Sequence, residues 1–294
     1  MKETISVGTR IRRSLIPLFM ILVCVITLYP MLNVVAISLS GKSHVARGLV
    51  TCYPKGFTLS AYKNVFRSAK IYTAYRNTLI IVLLGTPINV LLTTLSAYPL
   101  SKKRLRGCTW ITFFMAFTMW FGGGMIPTYL VVKSTGLLNT YWAVILPGAI
   151  SAYNTIIMRN FFQSIPESLE ESALIDSAGD FRILFSIMIP LCKPILATIT
   201  MWCAVGHWNS FFAPLIYFND SSMYPLQVYL RDIVISTQLD KYGLLSYSDV
   251  AESAVQSESI INATIVVSMV PILMIYPFLQ KYFTRGVLVG AIKG

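Results

Sequence analysis

The chain has 294 residues, 55% of them hydrophobic and only 12% charged, whereas soluble domains carry about 25% charged residues; an ordinary soluble domain is excluded. Its formal charge of +12, from 24 Lys and Arg against 12 Asp and Glu, suits anionic headgroups and a positive-inside orientation. The basic residues are spread through the segments between apolar runs and form no stripe with interleaved aromatics, so a nucleic-acid surface is excluded as well.

A membrane-spanning helix takes about 20 apolar residues, and the chain offers six such runs with no room for a large soluble domain. The first, Leu15 to Leu39, follows Arg10, Arg12 and Arg13; its 25 residues exceed the apolar core of a secretion signal, so it reads as a retained helix. A polar loop, 40–77, carries seven Lys or Arg and no acid. Its Ser40-Gly41-Lys42-Ser43 resembles the end of a phosphate-binding loop, but Ala36 stands where that motif needs glycine, and the match is chance. The second run is Thr78 to Leu100, followed by the basic cluster Lys102 to Arg106. The third, Thr109 to Val132, carries the tract from Trp120 to Pro127 with three consecutive glycines, the composition of a broken helix or of close helix packing through small residues. The fourth is Trp142 to Phe161, the fifth Leu191 to Tyr217, and the sixth Ile260 to Leu279. Before the sixth lies a second long loop, 218–259, with six acids and two bases, opposite in sign to the first; the two read first as solvated loops that attract each other, and otherwise as a docking surface for a partner or an anionic ligand.

Isolated spans must satisfy their own backbone groups, so all six are expected to be helices. The expected architecture is an all-α membrane protein, one domain over 1–294, with six transmembrane helices. An even count puts both termini on one side, and the clusters at Arg10 to Arg13 and Lys102 to Arg106 mark that side as cytoplasmic, with 14 Lys and Arg inside against 10 outside. The five cysteines show no C-x-x-C spacing, which supports neither a disulfide framework nor a metal site.

No catalytic constellation is visible: the two histidines, His44 and His207, have no carboxylate at ligand spacing, and there are no paired acids in an apolar setting. The chain reads as a non-enzyme without a cofactor or metal of its own. No Asp or Glu falls within the spans, and the bases Arg159 and Lys193 lie near span ends. Carriers driven by ion gradients usually place ionisable or carbonyl groups at mid-membrane, so an energy-supplying partner gripping a cytoplasmic loop is the better expectation. The loop 162–190 is the candidate grip. It reads as a short helix with Pro166 in its first turn, Glu167, Glu170 and Glu171 at the positive end of its dipole, Gly179 as its stop, and Leu174, Ala178 and Phe181 on one face. Such a helix can lie on a membrane or fill a groove in a partner.

The stretch Glu171-Ser172-Ala173, three residues, Ser177, nine residues, Ile187-Met188-Ile189-Pro190 resembles the coupling-loop signature of ABC importer permeases: Glu-Ala-Ala, three residues, Gly, nine residues, Ile-x-Leu-Pro. Three positions depart from it, Ser172, Ser177 and Ile189, and Gly179 suggests that the turn required at Ser177 is displaced by two residues. Further tracts extend the likeness to the maltose-transporter type of permease (MetI-like fold) that serves complex oligosaccharides and polysaccharide fragments: Gly123 to Tyr129, Met158 to Phe162, Trp208-Asn209 with Pro214-Leu215, Tyr224 to Gln227, and Gln280 to Gly294. The resemblance implies a second homologous permease, two ATP-binding subunits that carry ATP and magnesium, an extracytoplasmic solute-binding protein, and a multi-pass location in the cytoplasmic membrane. It implies that Glu171, Ser172, Ala173, Asp176, Ser177 and Gly179 sit on or beside the coupling helix, and that Ile187 and Pro190 set the return into the fifth span. It also implies that the tail after Phe283 reaches the ATPase and that the acidic loop meets the binding protein. For the solute path the candidates are Trp120, Tyr153, Asn154, Trp202, His207, Trp208 and Asn209, because aromatic faces stack on sugars and amides bond to hydroxyls. The basic loop suggests an anionic, uronate-type oligosaccharide. An ion-coupled carrier, a permease for another solute and a non-transporting scaffold are the alternatives.

Overall fold

The computed structural model describes residues 7–241 and 258–291, and all regular structure among them is helical. In chain order the elements are α1 (Val7–Ser38), α2 (Lys42–Ala46), α3 (Ser60–Arg67), α4 (Ala69–Leu100), α5 (Cys108–Trp120), α6 (Met125–Ser134), α7 (Trp142–Ile145) and α8 (Ala152–Gln163). There follow α9 (Glu167–Ile175), α10 (Asp180–Ile183), a π-helical turn (Leu184–Met188), α11 (Ile189–Leu191), α12 (Lys193–Trp208), α13 (Phe212–Tyr217), a 3-10 turn (Ser221–Met223), α14 (Leu226–Lys241) and α15 (Glu258–Ala291).

Among the described residues three stretches are continuous, long and apolar enough to cross a membrane, Leu15–Ser38, Ala69–Leu100 and Glu258–Ile275; two bent pairs, α5 with α6 and Asp180–Leu191 with α12, raise the number to five if each pair is one span. The first span lies where the apolar run put it. The second starts at Ala69, nine residues before the expected Thr78. At 1.5 Å per residue its 32 residues extend about 48 Å, longer than a hydrocarbon layer of about 30 Å. The third run breaks at Phe121–Gly124 with a 112° bend; Gly124, at φ +83°, takes a backbone region costly to other residues. The run from 142 to 161, expected as one helix, is α7 and α8 separated by Leu146–Ser151, because Pro147 and Gly148 interrupt the ladder. The fifth run is likewise divided, into α12 and α13 around Asn209–Phe211.

The chain divides into two compact units, residues 1–69 with 230–270 and residues 70–229 with 271–294. In the first, the expected loop folds back on the end of α1. Lys55 donates its N–H to Ser40 Oγ at 3.0 Å, Gly41 donates to the Lys55 carbonyl at 3.1 Å, and Asn33 Nδ2 donates to the Thr51 carbonyl at 2.8 Å. Ala36, Val45 and Val50 fill the space between. In the second unit, one core joins Ile81 of α4, Val132 of α6, Ala143, Val144 and Ile145 of α7 and Tyr217 of α13. A second core joins the end of α4 to α8, α9, α10 and α12 through Ala97, Met158, Phe162, Ala173, Ile183 and Ile199. α4 serves both because Gly85, Asn89, Thr93 and Ala97 repeat every four residues on one face and all are buried, the small-residue spacing that lets membrane helices approach closely.

Of the second long loop, residues 226–241 form α14. Residues 242–257, with Asp249 and Glu252, lie outside the described residues, as do Lys293 and Gly294 of the tail.

Candidate functional site

The segment from Pro166 to Cys192 is built as a cap, a turn and a bend. Pro166 stands at the N-cap of α9 with Glu167 and Glu170 in the first turn, where carboxylates are favoured by the helix dipole. The helix ends at Ile175 and Ser177 takes φ +59°. The Ala178 N–H reaches back to the Ala173 carbonyl at 3.0 Å and the Ser177 N–H to the Leu174 carbonyl at 2.9 Å. These are the two bonds of a Schellman cap, with serine in the left-handed position that glycine usually fills. The expected displacement to Gly179 is thereby corrected: Gly179 has φ −73° and simply precedes α10, and the turn falls at the signature position itself. The grouping of Leu174, Ala178 and Phe181 on one helical face is corrected too. The left-handed residue breaks the run, leaving Leu174 and Phe181 exposed and Ala178 packed on the core.

Ala173 is 8% exposed in the core with Met158, Phe162 and Ile183, so this position takes a methyl and no more. Glu171, Ser172 and Asp176 are exposed, and Ser172 Oγ bonds back to the Ser168 carbonyl at 2.8 Å. Ile187 packs on the core from the π-helical turn, and Pro190 lies in α11 two residues before Cys192, where the chain bends by 86° into α12. Lys193 and Pro194 open α12.

The turn between α4 and α5 lies against this segment. Lys102 pairs with Glu170, Lys103 Nζ with Glu167 Oε1 at 2.7 Å, and Arg104 with Asp180. Glu167 holds Lys103 above its usual range by hydrogen bond and charge, and Asp180, first by its hydrogen bond, does the same for Arg104. Arg159 Nε donates to the Leu100 carbonyl at 2.8 Å, satisfying the C-terminal end of α4. Composition marks these bases only as a positive-inside cluster; their acidic partners lie more than 60 residues away.

The proposed solute-path residues fall into three groups. Tyr153 and Trp202 bring their rings to 5.9 Å, and Asn154 Nδ2 lies 3.7 Å from Cys203 Sγ, so α8 and α12 place these together. His207 and Trp208 are packed between helices. His207 Nε2 is 2.7 Å from Asn89 Oδ1, and buried Trp208 meets the Tyr75 ring edge-on at 6.2 Å. Asn209 follows α12, with Gln227 Nε2 3.5 Å from its Oδ1, and Trp120 is 78% exposed at the end of α5.

Sequence reasoning missed the amides that support the breaks. Asn89 Nδ2 donates to the Gly148 and Ala149 carbonyls at 2.8 and 3.1 Å. Asn77 Nδ2 donates to the Ser222 and Tyr224 carbonyls at 2.8 and 3.1 Å while its Oδ1 accepts from Tyr141 at 2.9 Å. Thr78 Oγ1 accepts the Leu226 N–H at 2.8 Å. Asp220 fixes this segment by accepting from the Ser222 N–H and hydroxyl, which hold its carboxyl below the usual range. For Asn89 the available signal is an asparagine inside an apolar run; Asn77, in the loop before that run, carries none. Among the described residues no three His, Cys, Asp or Glu side chains could share a metal ion.

Long apolar helices, broken spans with amide-bound backbone and a braced helix between spans define a membrane transport permease. Residues 56–289 match the family described as the binding-protein-dependent transport system inner membrane component, and the chain belongs to that family. It is 44% identical over 270 residues to protein LplC of Bacillus subtilis, covering 92% of this chain and 90% of that protein. It is 42% identical over 279 residues to the polygalacturonan/rhamnogalacturonan transport system permease protein YtcP of the same organism, covering 94% and 96%. A crystal structure of a bacterial ABC transporter involved in the import of the acidic polysaccharide alginate contains a similar chain, at TM-score 0.86 and 35% identity over 95% of this chain and 98% of that one.

Proposed function

We propose that this chain is the permease subunit of an ATP-driven importer that moves oligosaccharides, acidic ones among them, from an extracytoplasmic solute-binding protein across the cytoplasmic membrane. The observation that carries the reading is the coupling segment: α9 is Schellman-capped at Ser177, the position the importer signature reserves for glycine, and turns into α12 after Pro190. The substrate class is supported by the names of the two relatives that transport polygalacturonan/rhamnogalacturonan and alginate, and by the seven bases without an acid in 40–77.

In this reading the spans number six: α1, α4, α5 with α6, α7 with α8, α12 with α13, and α15, with both termini cytoplasmic. The partners are a second permease of the same fold and two ATPase subunits that bind ATP and magnesium; this chain binds neither. The exposed face of α9, with Glu171, Ser172, Ile175 and Asp176, enters the ATPase, and its buried face, at Ala173, transmits force to α8, α10 and α12. Closure of the ATPase pair moves α9 as a rigid body and turns the solute cavity outward. On the solute path, Tyr153 and Trp202 present an aromatic pair and Asn154 an amide from α8 and α12 together, the donors and faces a sugar uses.

The test is reconstitution of the chain with its partner permease, ATPase and binding protein in lipid, followed by ATP hydrolysis with a panel of neutral and uronate oligosaccharides. Stimulation by uronate oligosaccharides supports the reading. Uptake by this chain alone, driven by an ion gradient and collapsed by an ionophore, overturns it in favour of a secondary carrier.

A further inference from the structure

Lys102, Lys103 and Arg104 leave the end of α4 in succession and face the acidic ends of two short helices. With Pro166, Glu167 and Glu170 they line a cleft of about 790 Å³. The three pairs differ in kind. The Lys102 and Glu170 side chains are 12% and 15% exposed, and the Lys102 ammonium also lies 4.4 Å from the centre of the Tyr98 ring. The Lys103–Glu167 pair stands in the open at 83% and 64% exposure. Arg104 bridges segments: it pairs with Asp180, the first residue of α10, and lies 3.9 Å from Glu170 of α9.

Glu167, Glu170 and Asp180 occupy first helical turns, where the dipole alone would account for them. The bases are not accounted for in that way. A cation beside a helix N-terminus is repelled by the dipole, so three consecutive cations at two such ends are held there by the carboxylates. A juxtamembrane basic run commonly meets anionic lipid, but in this run three successive charges are already matched by protein acids.

We propose that Lys102, Lys103 and Arg104 are positioning residues for energy coupling: they brace α9 and α10 against the turn after α4, so that displacement of α9 is passed into α4 and not lost as rotation of the segment. This rests on the importer reading above. The partly buried Lys102–Glu170 pair is its centre, because removing one member leaves a desolvated charge without its partner, whereas an exposed pair is worth little.

The experiment uses the complete reconstituted complex with Lys102→Glu, Glu170→Lys and the doubly exchanged chain. Three quantities are measured: ATPase co-purification, ATP hydrolysis with and without loaded binding protein, and sugar taken up per ATP. Each single reversal is expected to keep the ATPase bound and to reduce stimulation about tenfold, within the span of ordinary coupling energies. The exchanged pair is expected to restore most of it. Retained ATPase binding with lost stimulation separates a brace from a mere contribution to folding, and rescue by exchange assigns the effect to the pair. If a single reversal fails to insert, Lys103→Glu with Glu167→Lys repeats the test on the exposed pair, with a smaller effect in the same direction.

Single reversals that couple like the wild-type complex, or an exchange no better than either single change, overturn the brace while leaving the importer reading standing. Loss that follows the anionic lipid content of the vesicles and is not rescued by exchange assigns the run to lipid headgroups and overturns the brace too. A wild-type complex that neither binds the ATPase nor hydrolyses ATP overturns the importer reading and the brace with it.

Discussion

His207 Nε2 donates its proton to Asn89 Oδ1 at 2.7 Å, and the direction of that bond is fixed from the far side of the amide. Asn89 Nδ2 is engaged with the Gly148 and Ala149 carbonyls, so Oδ1 is the free acceptor and the imidazole must be protonated at Nε2. One amide thus connects α4, α12 and the break between α7 and α8. Asn89→Leu, which keeps the branched shape, removes partners from two carbonyls and one ring nitrogen. The expected cost is about 1–3 kcal/mol, read as a lower melting temperature of the purified chain. Asn89→Asp keeps the acceptor for His207 and loses the donor, so it is expected to weaken the break and leave the imidazole bonded.

Gly85 faces the same imidazole. A Cβ there would stand 2.5 Å from His207 Nε2, whereas a Cβ at Gly206 meets nothing within 4 Å. Gly85→Ala is expected to destabilise by about 1–3 kcal/mol through overpacking, and Gly206→Ala to be neutral or to stabilise by up to about 1 kcal/mol through helix propensity. Opposite shifts of melting temperature for two Gly→Ala changes check this directly.

Ser177 adopts φ +59° to close the cap of α9. The left-handed region costs a non-glycine residue about 1–2 kcal/mol, and glycine gives back about 0.4–1 kcal/mol in unfolded-chain freedom. Ser177→Gly is therefore expected to stabilise by roughly 0.5 kcal/mol with coupled ATP hydrolysis retained. Ser177→Val, β-branched at the same angle, is expected to unseat the cap and lower coupling while the spans still insert.

Lys103 titrates above its ordinary 10.5 because of Glu167. A raised folded value means the pair contributes fully below 10.5 and is lost as pH climbs through the folded value, so coupling owes no pH dependence to Lys103 near neutrality. Salt is the effective variable. At about 1 M the Debye length falls to about 3 Å, which screens the exposed Lys103–Glu167 pair and spares Lys102–Glu170. Lys103→Gln is expected to match the wild-type complex at high salt, and Lys102→Gln to differ from it at every salt concentration, with ATPase stimulation as the readout.

The long spans were legible wherever one apolar run makes one helix, as in α1 and α15. The start of α4 was not, because Lys70, Arg76 and Asn77 have loop composition, yet the helix runs through them. Their surroundings, not their propensities, decide it: Asn77 is buried with all of its amide engaged. A short helix in the loop 162–190 was legible, but Gly179 reads as its stop, whereas α9 ends at Ile175 and the chain turns at Ser177. Gly179 is a decoy: it has φ −73° and simply precedes α10, while the Ala178 N–H closes the cap on the Ala173 carbonyl around left-handed Ser177. The ion pairs and the amide bridges were hidden for a simpler reason. A single sequence shows which side chains can bond but not which backbone breaks, 50 or more residues away, will need them.

α4 is one unbroken helix held at both extremities. Near its start, Asn77 and Thr78 grip the residues that lead into α14; just past its end, Lys102 and its neighbours grip α9. From residue 77 to residue 100 is about 35 Å of axial rise, with Pro87 and Pro99 inside the helix. A continuous helix of this kind acts as a push-rod between its two grips, and the two prolines, each removing a rung of the ladder, mark where it bends.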